Sequence, residues 1–200
     1  MQAVMFFIAG YETTNSLLTF AAYVLAMNQD IQEKLHAEID NLAPTRDDLG
    51  YDIINKMEYL DMVINETLRM YPPAVIFSRV CNETTTYNGL TFEAGIELFV
   101  SVWTIHYDED YWTNPTKFDP ERFSAENKGS IQPCTFIPFG FGPRNCIGMR
   151  FALLEAKMAL VRTLQEFRLD VSPETEIPPT LGKMGLLAPK TLMLSAIPRN

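Results

Sequence analysis

The stretch PFGFGPRNCIG, residues 138–148, limits what this chain can become more than any other. Three glycines and two prolines surround one cysteine, Cys146. Backbone this rich in glycine makes a shape that ordinary side chains obstruct. Directly behind it, RFALLEAKMALVRTLQEF reads as a long amphipathic helix. A thiol at a helix start meets unpaired backbone N–H groups and the positive end of the macrodipole, and both favour thiolate. Arg144, two residues away, adds positive charge.

The rest of the composition narrows what such a thiolate can serve. The chain has 200 residues, enough for one substantial domain or for part of a larger one. It is 47% hydrophobic and 20% charged, as globular proteins are. A formal net charge of −9 argues against general nucleic-acid binding, and no phosphate-cradling GxxxxGK[ST] signature is present. Three widely spaced cysteines without a CxxC give no disulfide framework and suit a reducing compartment. The two histidines, His36 and His106, stand far from the cysteines and from each other, which leaves zinc poorly supported. A lone thiolate does not hold a bare metal ion, but it serves a metal that arrives already coordinated. Haem, whose porphyrin supplies four nitrogens, needs only such an axial ligand. On that reading Gly140 and Gly142 permit tight turns, and Gly148 leaves room beside a large flat ring. The plainer alternative is a buried structural cysteine, the commoner use of the residue.

Along the chain, residues 1–27 read as one long, mostly apolar helix. Gly10 to Ser16 breaks its apolar run and no basic region precedes it, so neither a membrane span nor a signal peptide is expected. A second helix starts near Asn28 or Asp30, with Ile31, Leu35, Ile39 and Leu42 on one face. PTRDDLGYD is a polar connection. KMEYLDMVINETLRMYPP is a third helix, stopped by Pro72 and Pro73. VIFSRVC is strand-like, Asn88-Gly89 signals a hairpin, and IELFVSVW continues as strand. From His106 to Cys134 the chain reads as a loop, and FRLDV and TLMLSAI read as short strands after the last helix. The fold class is α+β, helix-dominated, with small sheets and a long meander loop.

Three motifs, which follow along the chain in the family's own order, resemble the cytochrome P-450 superfamily of haem-thiolate monooxygenases. FxxGxRxCxG, here residues 139–148, resembles its haem-binding loop, ETLR at residues 66–69 its ExxR helix, and AGYETT at residues 9–14 its oxygen-binding groove. The resemblance runs from residue 1 to about residue 197, and is nearest the broad-substrate eukaryotic clan that includes drug-metabolising enzymes. It implies haem b (iron protoporphyrin IX) held by Cys146, with Arg144, Arg79, Phe139, Gly140, Gly148 and Ala9 around it. It implies that Glu66, Arg69 and Arg122 form a buried structural network on the proximal side. Periodicity alone points elsewhere, because Glu66 and Arg69 fall opposite the apolar face of their helix and read as an exposed ion pair.

The resemblance also implies that Thr13 steers protons toward dioxygen with Glu12 in the relay. Read without it, these residues are a polar notch facing water, with Thr13 bonding back to the carbonyl of Ala9 and bending the helix near Gly10. Arg79 is otherwise a surface charge. Ala74, Val75, Leu186 and Leu187 match substrate-contacting places, although core packing explains them nearly as well. His36, His106, Cys81 and Cys134 receive no role.

As implied activity, one oxygen atom of dioxygen enters an apolar substrate, with electrons from an NADPH-dependent flavoprotein reductase and cytochrome b5 as a further candidate donor. The implied location is the cytoplasmic face of the endoplasmic reticulum membrane. Family members are typically more than twice this long, so residues 1–200 are expected to be the C-terminal part of a single domain. The N-terminal half and its anchor would be absent and the apolar faces beneath them exposed. Two other readings compete: an inactive fragment that at most binds haem weakly or packs on a partner, and a cysteine hydrolase with His106 as base to Cys146.

Overall fold

A computed structural model describes residues 2–182 and 186–199. Helix α1 spans Gln2–Met27 and runs unbroken through Gly10, so the expected bend there does not interrupt it. Its second half buries Leu17, Phe20, Ala21, Val24 and Leu25, spaced at three to four residues as one face of a helix requires. Helix α2, Gln29–Leu42, adds Ile31, Leu35 and Ile39 to the same core.

The polar connection after α2 is more ordered than its composition suggests. It holds a 3-10 turn at Arg46–Asp48, closed by a capping box between Thr45 and Asp48, and a one-turn helix α3, Tyr51–Ile54. Helix α4, Glu58–Met70, begins under the carboxylate of Glu38, which accepts the N–H groups of Tyr59 and Leu60 at 2.8 and 2.9 Å. A carboxylate at these orphan donors caps the helix from a neighbouring element.

Three two-stranded antiparallel sheets lie around the helices. Strand β1 (Ile76–Val80) pairs with β4 (Glu97–Ser101), and β2 (Thr85–Tyr87) with β3 (Leu90–Phe92). Asn88 and Gly89 turn the small hairpin with φ of 49° and 79°, the double positive φ of a primed turn. The strand expected to run through Trp103 stops at Ser101. There the Ser101 hydroxyl accepts the Thr104 N–H and starts helix α5, Val102–His106.

The long loop that follows contains two 3-10 turns, Pro120–Phe123 and Lys128–Ser130. Helix α6, Met149–Glu166, leads directly into β5 (Phe167–Val171), which pairs with β6 (Leu194–Pro198). The buried amide of Gln32 clips β5 to the core: it donates to Leu25 O and Leu169 O and accepts from Leu169 N at 2.7 Å. The chain is thus α+β and helix-dominated, with α1, α2, α4 and α6 enclosing one hydrophobic core.

Candidate functional site

The last two turns of α4 are buried on every side. The apolar face, with Leu60, Val63, Ile64 and Leu68, meets the core, while the long loop covers the opposite face through its Pro120–Phe123 turn. Glu66 and Arg69 are therefore wholly buried, 0% exposed each, and not the exposed pair that periodicity implies. Helical spacing describes only the neighbours a helix has from its own period, and here a distant loop supplies the rest.

Once buried, both charges are fully engaged. Arg69 Nε donates to Glu66 Oε2 at 2.7 Å and Nη2 to Oε1 at 2.9 Å. Beyond Glu66, its Nη1 donates to the carbonyl of His106 and its Nη2 to that of Pro115, both at 2.8 Å. Glu66 Oε1 also accepts the N–H of Asp119 at 2.9 Å. Arg122 completes the group more loosely, its Nε lying 3.4 Å from Glu66 in a charge contact without a hydrogen bond. Burial pushes the Glu66 carboxyl upward, against the pull of Arg69, the Asp119 N–H and Arg122.

His106, given no role from the sequence and read there as a loop residue, ends α5 and is 0% exposed. Ring nitrogen Nδ1 lies 2.9 Å from Arg69 O, and Nε2 accepts the N–H of Ile137 at 3.0 Å. Burial lowers its pKa to about 4. With both ring nitrogens held by backbone, His106 is not free to serve as base to Cys146, which removes the structural ground for a cysteine hydrolase. His36, given no role from the sequence, is also buried.

Past Ile137 the glycine-rich loop closes on itself. Gly140 N donates to Ile137 O, Asn145 N to Gly142 O, and Cys146 N to Phe139 O at 2.9 Å. Gly140 and Gly142 have φ of 73° and 80°, which glycine adopts at no steric cost. Cys146 lies two residues ahead of Gly148, the N-cap of α6, rather than on the helix itself. Its side chain is exposed, contrary to a buried structural cysteine. A Cβ added to Gly148 would stand 3.9 Å from its sulfur.

Among the exposed side chains of the loop and the start of α6 are three apolar ones: Ile147 is 90% exposed, Phe151 70% and Phe141 61%. Phe139, half-buried, packs on the core behind them. Arg144 is exposed on the loop, and Arg79 reaches it from β1, with Nη2 3.4 Å from Phe141 O and 3.5 Å from Arg144 O. A projecting thiol, bare apolar side chains and nearby guanidinium groups fit a flat, apolar, acid-edged group such as haem. Among the described residues no cluster of three or more His, Cys, Asp or Glu side chains is placed to hold a bare metal ion.

The α1 motif has a different character. Thr13 Oγ1 donates to Ala9 O at 2.6 Å, and Glu12 is exposed, so no unpaired charge is buried there. Among the described residues of this helix the buried polar ones are Thr14, the last residue of the motif, and Ser16, which the sequence did not single out. Thr14 Oγ1 donates to Glu155 Oε2 of α6 at 3.5 Å, and the Ser16 hydroxyl donates to Leu187 O. Val75 and Leu187 line one shallow cavity of about 340 Å³ with Ile76, Ser101, Trp103 and Leu181. Ala74 is exposed outside that lining, and Leu186 is half-buried.

Comparison with known proteins gives the family. The family described as Cytochrome P450 matches residues 1–196. Cytochrome P450 3A31 of Mesocricetus auratus and cytochrome P450 3A13 of Mus musculus are each 50% identical over 200 residues. Cytochrome P450 3A2 of Rattus norvegicus is 48% identical over the same length. All of this chain is covered, but it spans only 40% of each relative. The chain belongs to the cytochrome P450 family, haem-dependent monooxygenases whose members bind haem b.

Proposed function

We propose that the protein bearing this chain is a haem-thiolate monooxygenase acting on apolar organic substrates, and that residues 1–200 form the C-terminal part of its single domain. The observation that carries this reading is the exposed Cys146 on a backbone-locked loop, rimmed by uncovered apolar side chains and by Arg79 and Arg144. When bound, haem b would supply the redox chemistry by which one atom of dioxygen enters the substrate, and the Cys146 thiolate would tune it.

The residues of this chain then divide the remaining tasks. Cys146 would hold the group, with Phe139, Gly140 and Gly148 of its loop and Ala9 of α1 around it. Arg79 and Arg144 would meet its acidic edge with charge-assisted hydrogen bonds. Glu66, Arg69 and Arg122 keep the supporting side rigid. Thr13 and Glu12 hold and pass protons at the hydroxyl and carboxylate, and the open space beside Gly10 leaves α1 approachable there. Val75, Leu187, Ala74 and Leu186 orient substrate through apolar contact. Electrons come from an NADPH-dependent flavoprotein reductase, with cytochrome b5 as a further candidate donor. Endoplasmic reticulum membrane, cytoplasmic face, is the proposed location. No helix among the described residues is long and apolar enough to cross a membrane.

The test is the absorption spectrum of the reduced, carbon-monoxide-bound protein after haem is supplied, beside Cys146→Ser. A strongly red-shifted Soret band that requires the cysteine supports the reading. Its absence from the protein, or its persistence in Cys146→Ser, overturns it.

A further inference from the structure

We propose that His106 is the positioning residue that couples the buried Glu66–Arg69 pair to the cysteine loop, holding the loop where Cys146 can ligate. The proposal rests on the haem-thiolate reading above.

Donor logic fixes the state of the ring. The Ile137 amide can only donate, so Nε2 must be the acceptor. In a neutral imidazole the proton then sits on Nδ1, where it is donated to Arg69 O. Arg69 answers by donating Nη1 to the backbone carbonyl of His106. Each residue thus gives a side-chain hydrogen to the other's main chain. Phe136 stacks on the imidazole at 5.6 Å and Trp112 meets it edge-on at 6.5 Å, so the ring plane is held as well.

What the ring grips is the root of the loop. Ile137 is 4% exposed, and its carbonyl accepts Gly140 N–H at the first positive-φ turn. Two residues on, Phe139 O accepts Cys146 N–H. A continuous set of hydrogen bonds and short backbone links therefore runs from Glu66 to Cys146 with His106 as its only side chain after Arg69. An ordinary buried histidine needs its polar atoms satisfied, and any partners would do. This one joins two separate pieces of backbone, one of which carries the thiol.

Two variants take the bonds apart in the haem-loaded protein. His106→Gln puts an amide oxygen near the Nε2 position and keeps an acceptor for Ile137, losing the bond to Arg69 O. His106→Asn keeps a donor near Nδ1 and loses the acceptor. The readouts are the fraction of reduced, carbon-monoxide-bound protein with the red-shifted Soret band and the rate at which that band converts to the unshifted form. Thermal unfolding is measured alongside. The expected result is a band close to wild type in His106→Gln and conversion at least about tenfold faster in His106→Asn, with similar melting temperatures.

Equal conversion in both variants and wild type overturns the proposal. So does loss in both that simply tracks melting temperature, because that is the behaviour of packing alone. Amide exchange of unaltered protein tests the same bond if His106→Asn does not fold: Ile137 N–H must exchange far more slowly than exposed loop amides, and loop-like exchange overturns the proposal. Cys146→Ser separates the two ideas. A red-shifted band that survives Cys146→Ser refutes the haem-thiolate reading, whereas a cysteine-dependent band indifferent to His106 refutes only the coupling.

Discussion

The two sides of the cysteine loop are built on opposite principles. Behind it, the Glu66–Arg69–His106 cluster is polar, 0% exposed and bonded at nearly every polar atom. In front of it, Ile147, Phe141 and Phe151 are apolar and open to solvent, as are Met5, Phe6 and Phe7 at the start of α1. A folded chain left to itself does the reverse, burying oil and exposing charge. The buried polar side makes a rigid backing, since a fully satisfied network specifies one arrangement. The bare side is an exposed apolar surface of the kind that marks a binding face, as the proposed function requires.

The harshest way to break this contrast is to remove the backing. Arg69→Ala leaves Glu66 buried without its partner, and loss of one member of such a pair costs about 3–5 kcal/mol. Denaturant unfolding should show that loss together with failure to retain haem. Full retention at wild-type stability would mean that the buried side supports nothing.

Acid attacks the same side more gently. The folded pKa of His106, near 4, lies below its ordinary value of 6.5, so between these values the unfolded chain binds a proton that the native state refuses. His106 therefore contributes stability that is complete above pH 6.5 and is lost as pH falls toward 4, about 3 kcal/mol at most. Glu66, with its carboxyl pushed upward, has the opposite sign. The His106 part is isolated by subtracting the pH profile of His106→Gln, and parallel profiles would contradict it.

On the bare side the expected effects on folding are small and those on ligation large. Cys146→Ser and Ile147→Ser should each change stability by less than about 0.5 kcal/mol, as exposed substitutions do. Cys146→Ser should nevertheless abolish the red-shifted band. A large fall in melting temperature from either change, measured without haem, would show that this face is structural. Thr13→Ala should move folding least, again within about 0.5 kcal/mol, because its hydroxyl merely bonds back to Ala9. Its effect is expected in turnover, as electron consumption uncoupled from product formation. Unchanged coupling would return Thr13 to the polar notch that the sequence equally allows.

Much of this molecule is legible in its residues, for reasons of range. The helices around Leu35 and Leu60 follow from apolar spacing, the hairpin from Asn88-Gly89, and the loop turns from Gly140 and Gly142, all local chemistry. The glycine-rich loop also singles out Cys146, because few other shapes require those residue types at that spacing. By contrast, Ser101 stops a strand that Val102 and Trp103 would extend by propensity alone, since its hydroxyl finds the Thr104 amide.

Only the tertiary structure could decide the surroundings of Glu66, Arg69 and His106. Their burial comes from loop segments distant in sequence, Pro115 lying 46 residues beyond Arg69 and Ile137 31 beyond His106, and a helical period carries no trace of them. The same holds for the front of the site. Sequence names Cys146, but that it stands exposed among Ile147, Phe141 and Phe151 depends on which surfaces the packed helices leave uncovered. Local preferences fix conformations within a few residues, whereas burial is a sum over neighbours that only the folded chain assembles.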